Sequence, residues 1–211
     1  VLLLATRSTA SEDMTPGEGD SPPERCAWVG AEPLYVAYHD QEWGVPVHDD
    51  WLLFEFLVLE GAQAGLSWIT ILRKREGYRR LFDNFHVETV AGYSDSTLEQ
   101  KLTDASIVRN RLKVFAARQN ARATLKLYEA GESLSGFLWH YVDGKPIQNS
   151  WQHMSDVPAT TPLAERISKD LRRAGFSFVG PTIIYAHMQA TGMVNDHLVT
   201  CARHSACARL A

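Results

Sequence analysis

Two Cys/His pairs sit at opposite ends of the chain: Cys26 with His39, and His197 with Cys201. Two thiolates and two imidazoles make a complete tetrahedral zinc shell and leave no open position for chemistry. If all four meet on one ion, the metal is structural, it ties the two ends together, and the reacting groups lie elsewhere. His197 and Cys201 are four apart, so on a helix they share a face. Cys26 and His39 are thirteen apart, which requires a turn or hairpin between them. Spacing alone leaves another reading open, in which the cysteines are buried thiols and the histidines ordinary polar residues. Cys207 and His204 compete as ligands. Three cysteines make a disulfide framework a poor reading and point to a reducing compartment.

The second chemical feature is one acid among aromatics. Trp28, Tyr35, Tyr38, Trp43 and Trp68 fall close together in sequence, with Glu60 at the end of a very apolar segment. Any one of these rings can simply fill a core. Together, electron-rich faces attract a flat cationic ring, at about 0.5–2 kcal/mol per desolvated contact. A carboxylate beside them accepts from an exocyclic amine and complements the ring's charge. An unpaired buried Glu is costly, so Glu60 has a partner, faces a cavity or binds a ligand. Such a set fits an alkylated, cationic purine.

The elements that must position these groups read as helices almost throughout, and the class is all-α with no convincing sheet. Asp49 and Asp50 cap an apolar segment over 51–60, and Ser67 starts a helix through Arg73-Lys74-Arg75. Short helices follow over 87–92 and 95–103, then a long amphipathic run from Ile107 to Ala130 stopped by Gly131. Helices over 134–142, from Pro162 to Gly175 and from Pro181 to Gly192 come next, and Asn195 or Asp196 caps a last one carrying His197 and Cys201.

The chain of 211 residues is 45% apolar, enough for one sizeable core. Residues 1–24 read as a disordered, acidic leader rich in Ser, Pro and Gly, with Met14 a candidate natural start. The single folded domain is expected over 25–204, with a flexible tail at 205–211. Val1–Ala5 is too short to span a membrane. The leader carries the whole net charge of −4, so the rest is neutral. Charge collects locally instead. From Lys101 to Lys126 seven basic residues face Asp104 alone. A short helix, a tight turn at 104–106 and a second helix have the outline of a helix-hairpin-helix, whose turn and helix N-terminus can hold a phosphate. Arg109, Arg111 and Lys113 just after the turn would add salt-dependent DNA contacts. A solvated helix face is the plain alternative, and the turn lacks the usual glycine pair.

The motifs R-C-A-W-V (25–29), L-Y-V-A-Y-H-D-Q-E-W-G-V-P (34–46), L-E-G-A-Q-A-G-L-S-W (59–68), F-V-G-P-T (178–182) and M-V-N-D-H (193–197) closely resemble the 3-methyladenine DNA glycosylase I family. The resemblance runs from about Arg25 to Cys201. It implies an all-helical helix-hairpin-helix glycosylase with structural zinc on Cys26, His39, His197 and Cys201. It also implies base-pocket roles for Glu60, Tyr38, Trp68 and Trp43, with Trp28 and Tyr35 nearby. The expected reaction is monofunctional: a flipped 3-methyladenine is released from alkylated double-stranded DNA as the free base, leaving an abasic site. Catalytic weight falls on Glu60, Tyr38 and Trp68. Leu66, on the loop between Glu60 and Trp68, is a candidate wedge into the vacated stack. The expected setting is a cytoplasmic, bacterial-type monomer with no membrane association. A non-catalytic sensor of damaged DNA and a zinc hydrolase are the rival readings.

Overall fold

Helix α1 (Pro33–Gln41) follows a single 3-10 turn at Ala27–Val29 and starts with Pro33, whose missing N–H costs nothing at a helix start. The structure, a computed structural model, describes residues 24–210. The expected leader and Met14 lie outside them, save Glu24. The link between Cys26 and His39 is therefore a turn and a helix, which carries Tyr35, Tyr38 and His39 on its inner side.

Helix α2 (Asp50–Gln63) is the spine of the molecule. Every residue from Leu53 to Ala62 is buried, as a helix without a polar face requires. The Asp49 side chain caps it by accepting from Leu52 N at 2.9 Å. Of the two buried acids on α2, Glu55 is held by Arg75 and Arg79. The helix predicted from Ser67 through Arg75 is two pieces, α3 (Trp68–Leu72) and α4 (Arg75–Leu81), because Arg75 must turn inward to reach Glu55.

Helices α5 (Val87–Ala91), α6 (Asp95–Lys101) and α7 (Arg111–Glu129) follow. The long run predicted from Ile107 begins four residues later. Ile107 is buried at a bend, the Val108 N–H donates to the Tyr78 hydroxyl, and the Asn110 side chain caps α7 by accepting from Lys113 N at 3.2 Å. Between α6 and α7 the chain makes a tight turn in which Asp104 accepts from Ser106 N at 2.7 Å. Helix α4 supports this turn at close range. A Cβ on Gly77 would lie 2.4 Å from the Ser106 carbonyl oxygen.

Helix α8 (Leu134–Trp139) is capped by Ser133 and by the Asp50 carboxylate, which accepts from Leu134 N and Ser135 N. Strand β1 (Ile147–Gln148) then pairs in parallel with β2 (Val194–Asn195), a two-residue bridge that the helical reading of the sequence did not include. Helices α9 (Pro162–Arg173) and α10 (Pro181–Ala190) match expectation. The last helix does not. Residues 196–201 form a turn rather than a helix, and α11 (Ala202–Ala208) starts only after Cys201. The reason is tertiary: Asp196 is occupied by four donors, and Asn195 is tied through its NH₂ to Gln148 and the His204 carbonyl while its Oδ1 accepts only from the nearby His197 N–H at 3.4 Å. Residues 205–208, expected as flexible tail, lie in α11, where Cys207 is buried near Gly44. No described helix is long and apolar enough to cross a membrane.

Candidate functional site

A cavity of about 220 Å³ opens between the first third of the chain and the last. Trp28, Tyr35, Tyr38 and Trp43 form one wall, around α1. Glu60 at the last turns of α2 and Trp68 at the start of α3 form another. These are the six pocket residues singled out in the sequence, and all six reach one space. Trp28 meets Tyr35 and Trp43 edge-on at centroid distances of 5.1 Å each, and Tyr38 tilts against Trp68 at 5.5 Å.

Glu60 is 3% exposed, and its Oε2 has no hydrogen-bond partner among the described residues. Desolvation pushes its carboxyl up to about 8. The Trp68 indole N–H is likewise buried without a partner. Burial, and then the neighbouring Glu60, push the Tyr38 phenol well above its ordinary value, so it stays protonated. An orphaned acid and an orphaned donor in one aromatic cavity are costly to the empty protein. They suit a flat guest that brings its own hydrogen-bonding edge.

The third wall comes from residues that the sequence did not single out: Met154 and Val157 on the loop after β1, Ala186 and Gln189 on α10, and Asp196. Gln63, next to the Gly65 turn, also lines the cavity. Asp196 falls inside the M-V-N-D-H motif beside a predicted metal ligand, and that position was the available signal. Leu66 does not line the cavity. It sits 41% exposed on the loop that connects Gln63 to Trp68, where Gly65 adopts φ +79°.

The four Cys/His residues converge although His197 and Cys201 are not on a helix. Their donor atoms all lie within 4.8 Å of one another, and all four residues are buried. Cys201 Sγ is 3.5 Å from both His39 Nε2 and His197 Nδ1, and Cys26 Sγ is 3.8 Å from His197 Nδ1. Zinc bonds of about 2.3 Å to sulfur and 2.0–2.1 Å to nitrogen, set tetrahedrally, imply sulfur–nitrogen edges near ~3.6 Å. The non-ligand ring nitrogens are also engaged: His39 Nδ1 with Asp40 Oδ1 at 2.7 Å and His197 Nε2 with the Trp43 carbonyl at 3.0 Å. That outer arrangement is characteristic of metal-bound imidazoles. Cys201 is pushed down by its hydrogen bonds with Cys26 first and then with His197 and His39, favouring a thiolate. The donor set fits zinc. His204 and Cys207 lie outside it: His204 Nε2 bonds the Asn149 carbonyl and Cys207 faces Arg203.

The basic residues after the turn divide. Arg109 is exposed with no partner among the described residues. Arg111 pairs with Glu99 at 2.7 Å while remaining exposed. Lys113 points inward, donating to the Ala62 and Ala64 carbonyls at 2.8 and 2.6 Å.

Comparison with known proteins follows the same residues. The family described as methyladenine glycosylase matches residues 28–204. DNA-3-methyladenine glycosylase 1 of Escherichia coli (strain K12) is 48% identical over 178 residues, covering 84% of this chain and 95% of that protein. A crystal structure of 3-methyladenine DNA glycosylase I superimposes with a TM-score of 0.85 at 46% identity, covering 86% of this chain and all of that one. A variant of 3-methyladenine DNA glycosylase I in complex with 3-methyladenine superimposes with a TM-score of 0.82 at 39% identity, covering 84% of this chain and 96% of that one.

Proposed function

The chain belongs to the methyladenine glycosylase family, and from that premise we propose that its aromatic cavity takes 3-methyladenine flipped out of alkylated duplex DNA. The enzyme is a glycosidase acting on an N-glycosyl bond. It hydrolyses that bond without cutting the strand and leaves an abasic site and the free base.

The observation that carries this reading is the unpartnered Glu60 Oε2 inside the ring-lined cavity. Methylation at N3 puts a formal positive charge on the purine, and that charge distinguishes the damaged base from normal adenine. The Trp and Tyr faces attract the cation, and Glu60 in its ionised form accepts from the amine while balancing the charge. The charged base is already a good leaving group. Recognition and alignment with a water at the sugar carbon are then sufficient, with no strong general base. Asp196, the other carboxylate at the cavity, is unsuited to activating that water, because four protein donors already fill its acceptor positions.

Leu66 occupies the gap left in the stack, which offsets the few kcal/mol that extrusion costs. The α6–turn–α7 unit acts as a helix-hairpin-helix that grips the phosphate backbone, with Arg109 and Arg111 outward and the α7 N-terminus toward the anion. Zinc would be held by Cys26, His39, His197 and Cys201, and it supplies a fixed tether between residues far apart in the chain.

The test is release of base from methylated duplex DNA, read by chromatography, with abasic sites and strand breaks counted separately. Wild type should release 3-methyladenine with abasic sites and no added breaks. Glu60→Gln should lower kcat/KM about a hundredfold, since a charge-assisted hydrogen bond contributes roughly 1.5–3 kcal/mol. Binding to alkylated DNA without base release would instead make the protein a sensor.

A further inference from the structure

The third wall of the cavity contains a fixed amide. Gln189 Nε2 donates to Asp196 Oδ2 at 2.7 Å, and the same oxygen accepts from the Tyr185 hydroxyl at 2.5 Å. Asp196 Oδ1 accepts from Asn149 Nδ2 at 2.7 Å and from Trp151 Nε1 at 2.8 Å. An indole N–H and an amide NH₂ can only donate, so the 1%-exposed carboxylate serves as an acceptor on both oxygens. The Gln189 amide therefore cannot flip, because flipping would set its carbonyl against a carboxylate. Its NH₂ is committed, and its Oε1 has no partner among the described residues. Both Gln189 and Asp196 line the cavity.

We propose that Gln189 is a specificity-determining residue of this pocket: its side-chain carbonyl, locked in place by Asp196, accepts an N–H from the exocyclic amine of the bound base. This deepens the function proposed above and rests on it. Adenine-type bases carry an amine with two N–H donors at the position where guanine-type bases carry a carbonyl oxygen. Glu60 can take one N–H. The other loses its water on entering the cavity and needs a second acceptor. Gln63 also lines the cavity, but its amide has no partner among the described residues, so it can turn to suit either a donor or an acceptor. It therefore discriminates little. A locked Gln189 carbonyl meets an amine as a partner and a ring carbonyl as a repulsive contact, which is rejection by mismatch. In this scheme Gln189 touches the base and Asp196 is a positioning residue that acts through it.

The experiment compares release of 3-methyladenine and 3-methylguanine from the same methylated DNA by wild type, Gln189→Met and Asp196→Asn. Methionine keeps the length and removes the acceptor. Asparagine keeps the shape but offers both a donor and an acceptor, so Gln189 is free to flip. Each variant should raise the ratio of 3-methylguanine to 3-methyladenine release about tenfold, the scale of one lost hydrogen-bond discrimination. A purely structural lesion slows both bases together and leaves that ratio where it was. An unaltered ratio in both variants overturns the inference while leaving the glycosylase reading intact. Should either variant fail to fold, the other supplies the ratio, and free-base binding by tryptophan fluorescence gives the same comparison without turnover. A wild-type protein that releases no 3-methyladenine overturns the proposed function itself, and this inference with it.

Discussion

The Lys113 ammonium lies 2.6 Å from the carbonyl oxygen of Ala64, joining α7 to the loop that carries Leu66. A second bond to the Ala62 carbonyl closes the C-terminal end of α2, where unsatisfied carbonyls carry partial negative charge. Lys113 is thus a brace between α7 and the loop at the end of α2, the two parts proposed above to meet DNA.

Replacing that brace should act differently from removing an outward charge. Lys113→Met is expected to lower kcat/KM about tenfold through a loosened loop and to leave the salt dependence of DNA binding nearly intact. Arg109→Ala should flatten the slope of log K against log salt by about one, with a uniform loss of affinity. Binding titrations at several salt concentrations separate the two. Equal slope changes would place Lys113 on a phosphate instead.

Glu60 makes stability and binding depend on pH in opposite senses. Its folded value is raised to about 8 from an ordinary 4.5, so between those limits the native protein holds a proton that the unfolded chain has lost. Stability should therefore fall as pH rises through that window, by up to about 1.4 kcal/mol per unit, and level off above it. Glu60→Gln should remove this slope and melt higher than wild type at pH 8, with little difference near pH 4.5. Activity on the cationic base should rise toward pH 8 as the carboxyl ionises. Denaturant midpoints from pH 5 to 9 decide the matter; parallel curves for the two proteins would remove Glu60 as the cause.

The Cys/His cluster should bind about one zinc per chain by elemental analysis. Stripping it with a strong chelator should lower Tm on the order of 10 °C, since a lost metal tether amounts to several kcal/mol and each shifts Tm by a few degrees at this size. Cys201→Ser should reproduce the shift. No zinc in protein purified without chelator would refute the assignment.

Leu66→Ala should slow excision from duplex DNA about tenfold, because the wedge compensates an unstacking cost of a few kcal/mol. Excision from single-stranded DNA should slow much less. A similar loss on both substrates would mean that Leu66 shapes the cavity rather than the helix it enters.

The sequence made two walls of the site legible and hid the third. Trp28 to Trp68 announce themselves through residue type and nearness in the chain, and the apolar run at 51–60 required a buried helix with Glu60 at its end. Gln189 and Asp196 carry no such mark. Their meaning lies in a mutual bond, and partners such as Asn149 and Trp151, nearly fifty residues away, appear only when the chain is folded. Capping patterns located α9 and α10 well, since Thr161-Pro162 and Gly180-Pro181 are local signals. They failed at Asn195 and Asp196, where tertiary donors claim the Asp196 carboxylate and the Asn195 amide donates to Gln148 and to the His204 carbonyl. The inward turn of Lys113 was not legible, because a basic residue near a turn looks the same in sequence whether it faces solvent or two carbonyls. The four Cys/His residues do meet, but on a different local picture: a turn brings His197 and Cys201 together, not one face of a helix.

The cavity draws its walls from residues 28–68 and 154–196, with the middle of the chain forming neither. During translation, the aromatic residues of the first segment have no opposite wall until residue 196 has left the ribosome. The closed cavity therefore cannot form before that point. A nascent or prematurely terminated copy would expose hungry rings without being able to read a nucleotide.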